Sequence, residues 1–355
     1  MRRPPDHQEE TAGLAPQTQP DHAAGNRIGR RRSREPRGHR RFVTTLGALL
    51  TVAAIALGIS LYNSSAGSTG PLPTNLPPAS ASYLGVFAEG APASYTQVTA
   101  FANATGAQPN LVMYYSGWFV PFPTSFAVTA ADHGAVPLVQ MNPDRPQGPI
   151  SIAQIASGRY DAYLSSYAEA VRAYKHPVIL SFGHEMNGDW SSWGYKHTSP
   201  AVFVTAWRHI VNLFRTLGAR NVTWLWTVNI INDGQAGNIA HPDSWWPGNS
   251  YVTWVGIDGY YLKPSWQFAP LFGPTIRDVR ALTSDPILIA ETGAVQTANQ
   301  PAKINDLFAG IRSYGLLGFV WFNSTNTAGQ QFDISSSAAL AAFRKGASAY
   351  HRPGS

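Results

Sequence analysis

The sequence predicts an α/β protein with a (β/α)8 TIM barrel, preceded by a disordered basic tail and one transmembrane helix. Three observations carry this. Short apolar runs recur eight times between residues 83 and 350. Amphipathic stretches separate most of them. Ahead of them lie an Arg-rich segment and a 21-residue run without charge.

The apolar runs are 84–88 (LGVFA), 111–115 (LVMYY), 136–141 (VPLVQM), 178–183 (VILSFG), 222–228 (VTWLWTV), 252–258 (VTWVGID), 286–291 (PILIAE) and 317–322 (LGFVWF). Most are apolar at consecutive rather than alternate positions, the pattern of parallel strands covered on both faces. Helices are predicted at 94–104, 124–132, 160–174, 199–217, 274–282 and 300–313. In the fourth of these, Phe203, Trp207, Ile210, Val211 and Phe214 recur at helical spacing. Alternating strand and helix patterns imply βαβ units, and eight of them over about 270 residues match the usual size of such a barrel. The connection between the fifth and sixth strands, 229–251, is rich in Gly, Pro and Trp and shows no helical pattern. No repeat of fixed period is present.

Residues 1–41 hold ten Arg against five acids, which accounts for five of the six net positive charges of the 355-residue chain. The body is therefore nearly neutral and lacks the basic face that a nucleic-acid partner requires. The tail is too polar to offset the entropy of ordering and is expected to be disordered and cytoplasmic. Residues 42–62 (FVTTLGALLTVAAIALGISLY) are long enough to cross a bilayer as a signal-anchor. The Arg cluster just before them places the N-terminus inside and the body outside the cell membrane. A cleaved signal peptide, with secretion of the body, is the closest rival. The long polar segment before the apolar run argues against it. Residues 63–82 read as a Pro/Ser-rich linker and 83–350 as the barrel.

The chain has no Cys, which excludes disulfides, thiolate metal sites and Cys nucleophiles. No HExxH, Asp-rich loop, G-x-S-x-G elbow or Gly-rich phosphate loop is present. Neither metal nor cofactor is expected.

Barrel active sites form at the C-terminal ends of the strands. The body contains four Glu, and two of them, Glu185 and Glu291, end the fourth and seventh apolar runs. A carboxylate there costs desolvation energy unless it is paired or used. Two such groups facing each other suit glycoside hydrolysis, where one carboxyl donates a proton and the other attacks the anomeric carbon or activates water. The retaining route needs them about 5–5.5 Å apart. Unequal burial and mutual repulsion would separate their pKa values. The alternative for each is a structural salt bridge at the barrel rim.

The segment SFGHEMNGDWSSWG, residues 181–194, resembles the acid/base motif of glycoside hydrolase family 26, whose members include endo-β-mannanases. The match lies in His184, Glu185, Met186, Asn187, Gly188, Trp190 and Trp193. ILIAETG (287–293) resembles the family's nucleophile motif, and SWWPGNSYVTWVGIDGY (244–260) its sixth-strand segment. The resemblance runs from about residue 84 to 345. It implies a retaining barrel enzyme that cleaves a β-1,4-linked polysaccharide, first of all β-mannan, with β-glucan and β-xylan as alternatives. It makes Glu185 the acid/base and Glu291 the nucleophile. His184 would contact the substrate or the nucleophile region, and Tyr260 would hydrogen-bond the nucleophile. Trp321 would stack under the sugar, and Trp190 and Asn187 would shape the site.

Beside these, Trp226 and Asn229 fit the cleft rim, Trp118 in YYSGW is a candidate sugar platform, and Asp258 ends its strand. Each has a structural alternative. His184 also reads as a core histidine, Trp118, Trp226 and Trp321 as core packing, and Asp258 as a structural hydrogen-bonding group. Tyr261 competes with Tyr260 for the place beside the nucleophile, and Asp189 reads as a turn cap. Two other classes of function remain: a carbohydrate-binding barrel without turnover, and a scaffold with no sugar affinity. The barrel is expected to be monomeric, with a polysaccharide or oligosaccharide as its partner.

Overall fold

The computed structural model describes residues 76–231 and 239–350. The expected tail (1–41), the expected membrane span (42–62) and the first part of the linker lie outside the described residues. Among the described residues no helix is long and apolar enough to cross a membrane.

Eight strands close into a barrel: β1 (Tyr83–Ala88), β2 (Leu111–Ser116), β3 (Val136–Met141), β4 (Val178–Phe182), β5 (Val222–Asn229), β6 (Trp254–Asp258), β7 (Ile287–Thr292) and β8 (Gly318–Asn323). Each pairs in parallel with its neighbours in sequence, and β1 pairs with β8. Side chains alternate between the two faces of each strand. Tyr83, Met113, Leu138, Ile179, Leu225, Trp254, Leu288 and Val320 fill the lumen. Val112, Val139, Leu180, Trp226, Val255, Ile289 and Trp321 belong to the outer layer packed under the helices. Burial on both faces is why the strands read as unbroken apolar runs.

The outer layer is α1 (Thr96–Thr105), α2 (Thr124–Asp132), α3 (Ile152–Ala156), α4 (Asp161–Tyr174), α5 (Pro200–Thr216), α6 (Phe268–Leu282), α7 (Gln300–Ser313) and α8 (Ser337–Ala347). Between β5 and β6 the described residues hold only a 3-10 turn, Pro242–Trp245. Three helices depart from the sequence expectation: the five-residue α3 has no predicted counterpart, and α6 and α8 differ as follows. α6 begins at Phe268 and carries Pro274 inside it. An interior Pro costs about 3 kcal/mol, but burying Phe268, Leu271 and Phe272 contributes about 1.5–3 kcal/mol each. Asp306 also accepts the Phe268 N–H at 2.6 Å, which satisfies one open donor of the first turn. α8 has no counterpart in the reading, because its buried face is mostly Ala, with Ala339 and Ala342 beside Phe343. The Ser336 hydroxyl caps it by accepting the Ala339 N–H at 3.2 Å.

Residues 76–82, part of the expected linker, lie against the barrel, where Leu76 packs on the lumen cluster. Ala81 and Ser82 donate to the carbonyls of Leu316 and Leu317, and the Tyr83 hydroxyl donates to Pro77 O at 2.7 Å. The packed body therefore reaches back at least to Leu76, and these residues close the lumen at the end opposite the carboxylates.

Candidate active site

The chain leaves β4 through a tight turn. Gly183 and Glu185 both have left-handed backbones, at φ 56° and 55°. For a non-glycine residue this costs about 1–2 kcal/mol. The Glu185 N–H donates to Thr227 O and its carbonyl accepts from Gly188 N–H, both at 2.9 Å, which locks the turn. The side chain is held on both oxygens. Asn229 Nδ2 donates to Oε1 at 2.7 Å and Trp190 Nε1 to Oε2 at 2.8 Å.

Asn187 works one step back. Its Oδ1 accepts the Asn229 N–H at 2.8 Å, and its Nδ2 donates to the Asn229 carbonyl at 2.9 Å. This two-point clamp fixes the backbone of the residue that holds Glu185. Asn187 is fully buried, so it shapes the site through Asn229 and has no free face to offer a substrate.

The Trp190 ring lies over Gly188, where a Cβ would overlap it. Gly188→Ala is therefore expected to push the ring away and cost Glu185 one donor. Activity should fall by up to about tenfold, since Glu185 is protonated at neutral pH and one ordinary hydrogen bond is worth about 0.5–1.5 kcal/mol. Kinetics at neutral pH, with circular dichroism to verify folding, checks this; unchanged activity would show that the Trp190 bond is dispensable.

Glu291 is presented differently. The ladders of β7 with both neighbours slip here, so that Asp258 lies opposite Glu291. Such irregularities re-aim a side chain. Ala290 already faces the lumen, and the slip lets the next residue reach the interior as well. There Glu291 accepts hydrogen bonds from the hydroxyls of Tyr115 and Tyr260, one on each oxygen. Tyr261, the alternative in register, points outward onto Phe272.

The two carboxylates share one mouth. The Tyr115 ring lies 5.6 Å from that of His184, the residue before Glu185. His184 Nδ1 pairs with Asn142 Oδ1 at 2.9 Å, and its carbonyl accepts from Trp193 Nε1 at 2.8 Å. Burial lowers the His184 pKa to about 4, so the ring is neutral near pH 7.

Electrostatics separate the pair. Burial raises Glu185 to about 8, helped by the charge of Glu291 and opposed by the Asn229 and Trp190 donors. Burial also raises Glu291, but its two phenol donors favour the ionised form. Both phenols are pushed well above their ordinary pKa by burial and by Glu291, so they stay donors. Glu291 thus ionises first and holds the proton on Glu185. Asp258, fully buried beside them, is held well above the usual carboxylate range by burial and then by the charges of Glu291 and Glu185.

Three tryptophans named as sugar contacts are elsewhere. Trp118 is 2% exposed, and Trp226 and Trp321 are fully buried. Strand alternation explains the two on strands. Trp226 lies on the outer face of β5 between lumen-facing Leu225 and Thr227, and its ring meets Trp246. Trp321 packs outward on Phe343 and donates to Phe332 O at 3.0 Å. Phe322, one residue on, is the β8 side chain at the site, in contact with Phe87 and Tyr260. Trp118 is wedged among Tyr160, Tyr163 and Phe182.

Tyr115 and Asn142 were not singled out in the sequence. Counting alternate positions from Leu111 along β2 places Met113 and Tyr115 on one face, and that period was the available signal.

The family model for glycosyl hydrolase family 26 matches residues 151–305, a span that includes both carboxylates. Endoglucanase H of Acetivibrio thermocellus is 28% identical over 269 residues, covering 71% of this chain and 29% of that protein. A mannan endo-1,4-β-mannosidase of Bacillus subtilis is 24% identical over 237 residues, covering 56% of this chain and 62% of that one. The chain thus spans less than two thirds of either relative. Among solved structures, the YdhT protein of Bacillus subtilis superposes with a TM-score of 0.56 at 20% identity, over 73% of this chain and 83% of that one. At that identity the likeness is one of fold. With a closed parallel barrel, a Glu at the ends of β4 and β7 and these matches, the chain is similar to glycosyl hydrolase family 26 over residues 151–305.

Proposed function

We propose that the barrel hydrolyses β-1,4-linked polysaccharide, with β-mannan as its substrate, by double displacement with retention at the anomeric carbon. The observation that carries this is the unequal treatment of two buried carboxyls at one mouth. Glu185 keeps its proton up to about pH 8, while two phenols donate to Glu291 and favour its ionised form against the effect of burial. Glu291 attacks the anomeric carbon as Glu185 gives its proton to the departing glycosidic oxygen, leaving a glycosyl ester on Glu291. Glu185, now a carboxylate, takes a proton from water. The resulting hydroxide character at the water oxygen displaces Glu291 and restores both groups.

The name of the Bacillus subtilis relative supports mannan. A β-glucan substrate is the second reading, favoured by the higher identity to endoglucanase H. The test is a screen of the full chain against mannan, β-glucan and xylan, with the first product anomer followed by NMR. Mannan should be cleaved fastest and the β-anomer should appear first. Initial release of the α-anomer would reject double displacement. Binding without cleavage would identify a carbohydrate-binding barrel.

The same proposal places the tail in the cytoplasm, residues 42–62 in the cell membrane and the barrel outside. N-terminal sequencing of the mature protein tests it; a start beyond residue 62 means that the body is released.

A further inference from the structure

Trp118 is buried, but the next residue is not. Phe119 is 44% exposed and Val120 equally so, among the few exposed large apolar side chains of the described residues. The Phe119 backbone has φ 70°, a left-handed conformation uncommon for a bulky residue. The loop does not relax out of it because its neighbours are pinned on both sides. Trp118 N–H donates to Asp144 O at 2.6 Å, and the Tyr163 hydroxyl donates to Val120 O at 3.1 Å. Phe119 meets Tyr160 and Tyr163 edge to face, with centroids at 5.7 and 5.3 Å. The guanidinium of Arg145, exposed and in no ion pair among the described residues, lies 5.7 Å from its centroid. A strained backbone that turns an aromatic ring toward water asks for a functional account.

The position supplies one. Tyr115, which bonds Glu291, is four residues before Phe119 on the same strand-to-loop path. Asn142, which bonds His184, is three residues before Arg145. Both side chains therefore stand on the carboxylate face of the barrel, and Phe119 Cα is at most about 14 Å from that of Tyr115. A flat apolar ring with a planar group of several N–H donors lying over it fits a pyranose, which has a C–H face and a rim of hydroxyls, once the mobile arginine swings to the ring's edge.

We propose that Phe119 and Arg145 form a distal subsite for a neutral β-linked glycan, with Phe119 as the stacking platform and Arg145 as the hydroxyl-binding group. The subsite holds sugar units beyond those at the two carboxylates, so it favours long substrates. This rests on the glycosidase reading for its kinetic test but not for its binding test.

The experiment compares the full chain with Phe119→Ala, Phe119→Tyr and Arg145→Ala. On β-mannan, Phe119→Ala should lower kcat/KM about tenfold through a higher KM, as expected for one lost stacking contact. An aryl β-mannoside, whose single sugar ring sits at the carboxylates and leaves the subsite empty, should be cleaved at the wild-type rate. Phe119→Tyr should restore the mannan value, and Arg145→Ala should act in the same direction as Phe119→Ala. Equal losses on both substrates, or none on mannan, would overturn the subsite.

Affinity electrophoresis in mannan and β-glucan gels reads the same contact without turnover. Retention that depends on Phe119 in a chain that cleaves nothing would uphold the subsite and sink the hydrolase reading. A wild-type chain retained by neither gel, or retention unchanged by Phe119→Ala, overturns the subsite.

Discussion

Replacing Glu291 by Ala is expected to lower turnover by about four orders of magnitude or more while leaving oligosaccharide affinity nearly intact. No other group can take its role. Tyr115 and Tyr260 are un-ionised phenols, and Asp258 is held well above the usual carboxylate range. The variant also opens space on the face from which Glu291 attacks. Added azide should enter there and give a glycosyl azide of inverted configuration. The same addition to Glu185→Ala should give the retained configuration, because azide then attacks the glycosyl ester from the opposite face. Identical azide anomers from both variants would mean that the two roles are misassigned.

The second large effect is at Glu185. Glu185→Gln keeps the shape and the acceptor oxygen but has no acidic proton. Turnover on polysaccharide should fall about 10²–10⁴-fold, and far less on an aryl glycoside whose leaving phenolate needs little protonation. The wild-type profile of kcat/KM should fall as pH rises through about 8, where free Glu185 gives up its proton. In Glu185→Gln that limb should vanish. Asn229→Ala removes a donor that favours the carboxylate, so the limb should move to higher pH, and Trp190→Phe should act the same way. A limb that moves down in either variant contradicts the idea that these donors hold the acid.

The barrel strands are legible because parallel strands under helices demand apolar residues on both faces, and most of the eight runs carry that mark. The same demand hides orientation. A strand apolar throughout gives no alternation by which to tell lumen from helix side, so Trp226 and Trp321 read as well inward as outward. Only the neighbours settle it: Leu225 and Val320 fill the lumen. Tyr115 was missed beside Tyr114 for this reason. The carboxylates were easier, since an acid at the end of an apolar run is conspicuous wherever it points. The slip that brings Glu291 inward follows from pairing along β6 and β8 and has no local signature. Helix α8 lacked a stripe of large apolar residues, and Pro274 hid the first two turns of α6.

The proton kept on Glu185 has a consequence for how firmly the protein stays folded. Unfolding would return that carboxyl from about 8 to its ordinary 4.5. Between these values the native chain binds a proton that the denatured chain has shed, so alkalinity favours denaturation until the native group titrates too. His184 acts oppositely but only below its ordinary 6.5, which leaves the interval from there to about 8 to the acids. The melting temperature should therefore decline across that interval, and Glu185→Gln should melt later than the active enzyme and lose part of that decline. Nature has kept a chemical tool in a place where, for durability alone, an amide would serve better.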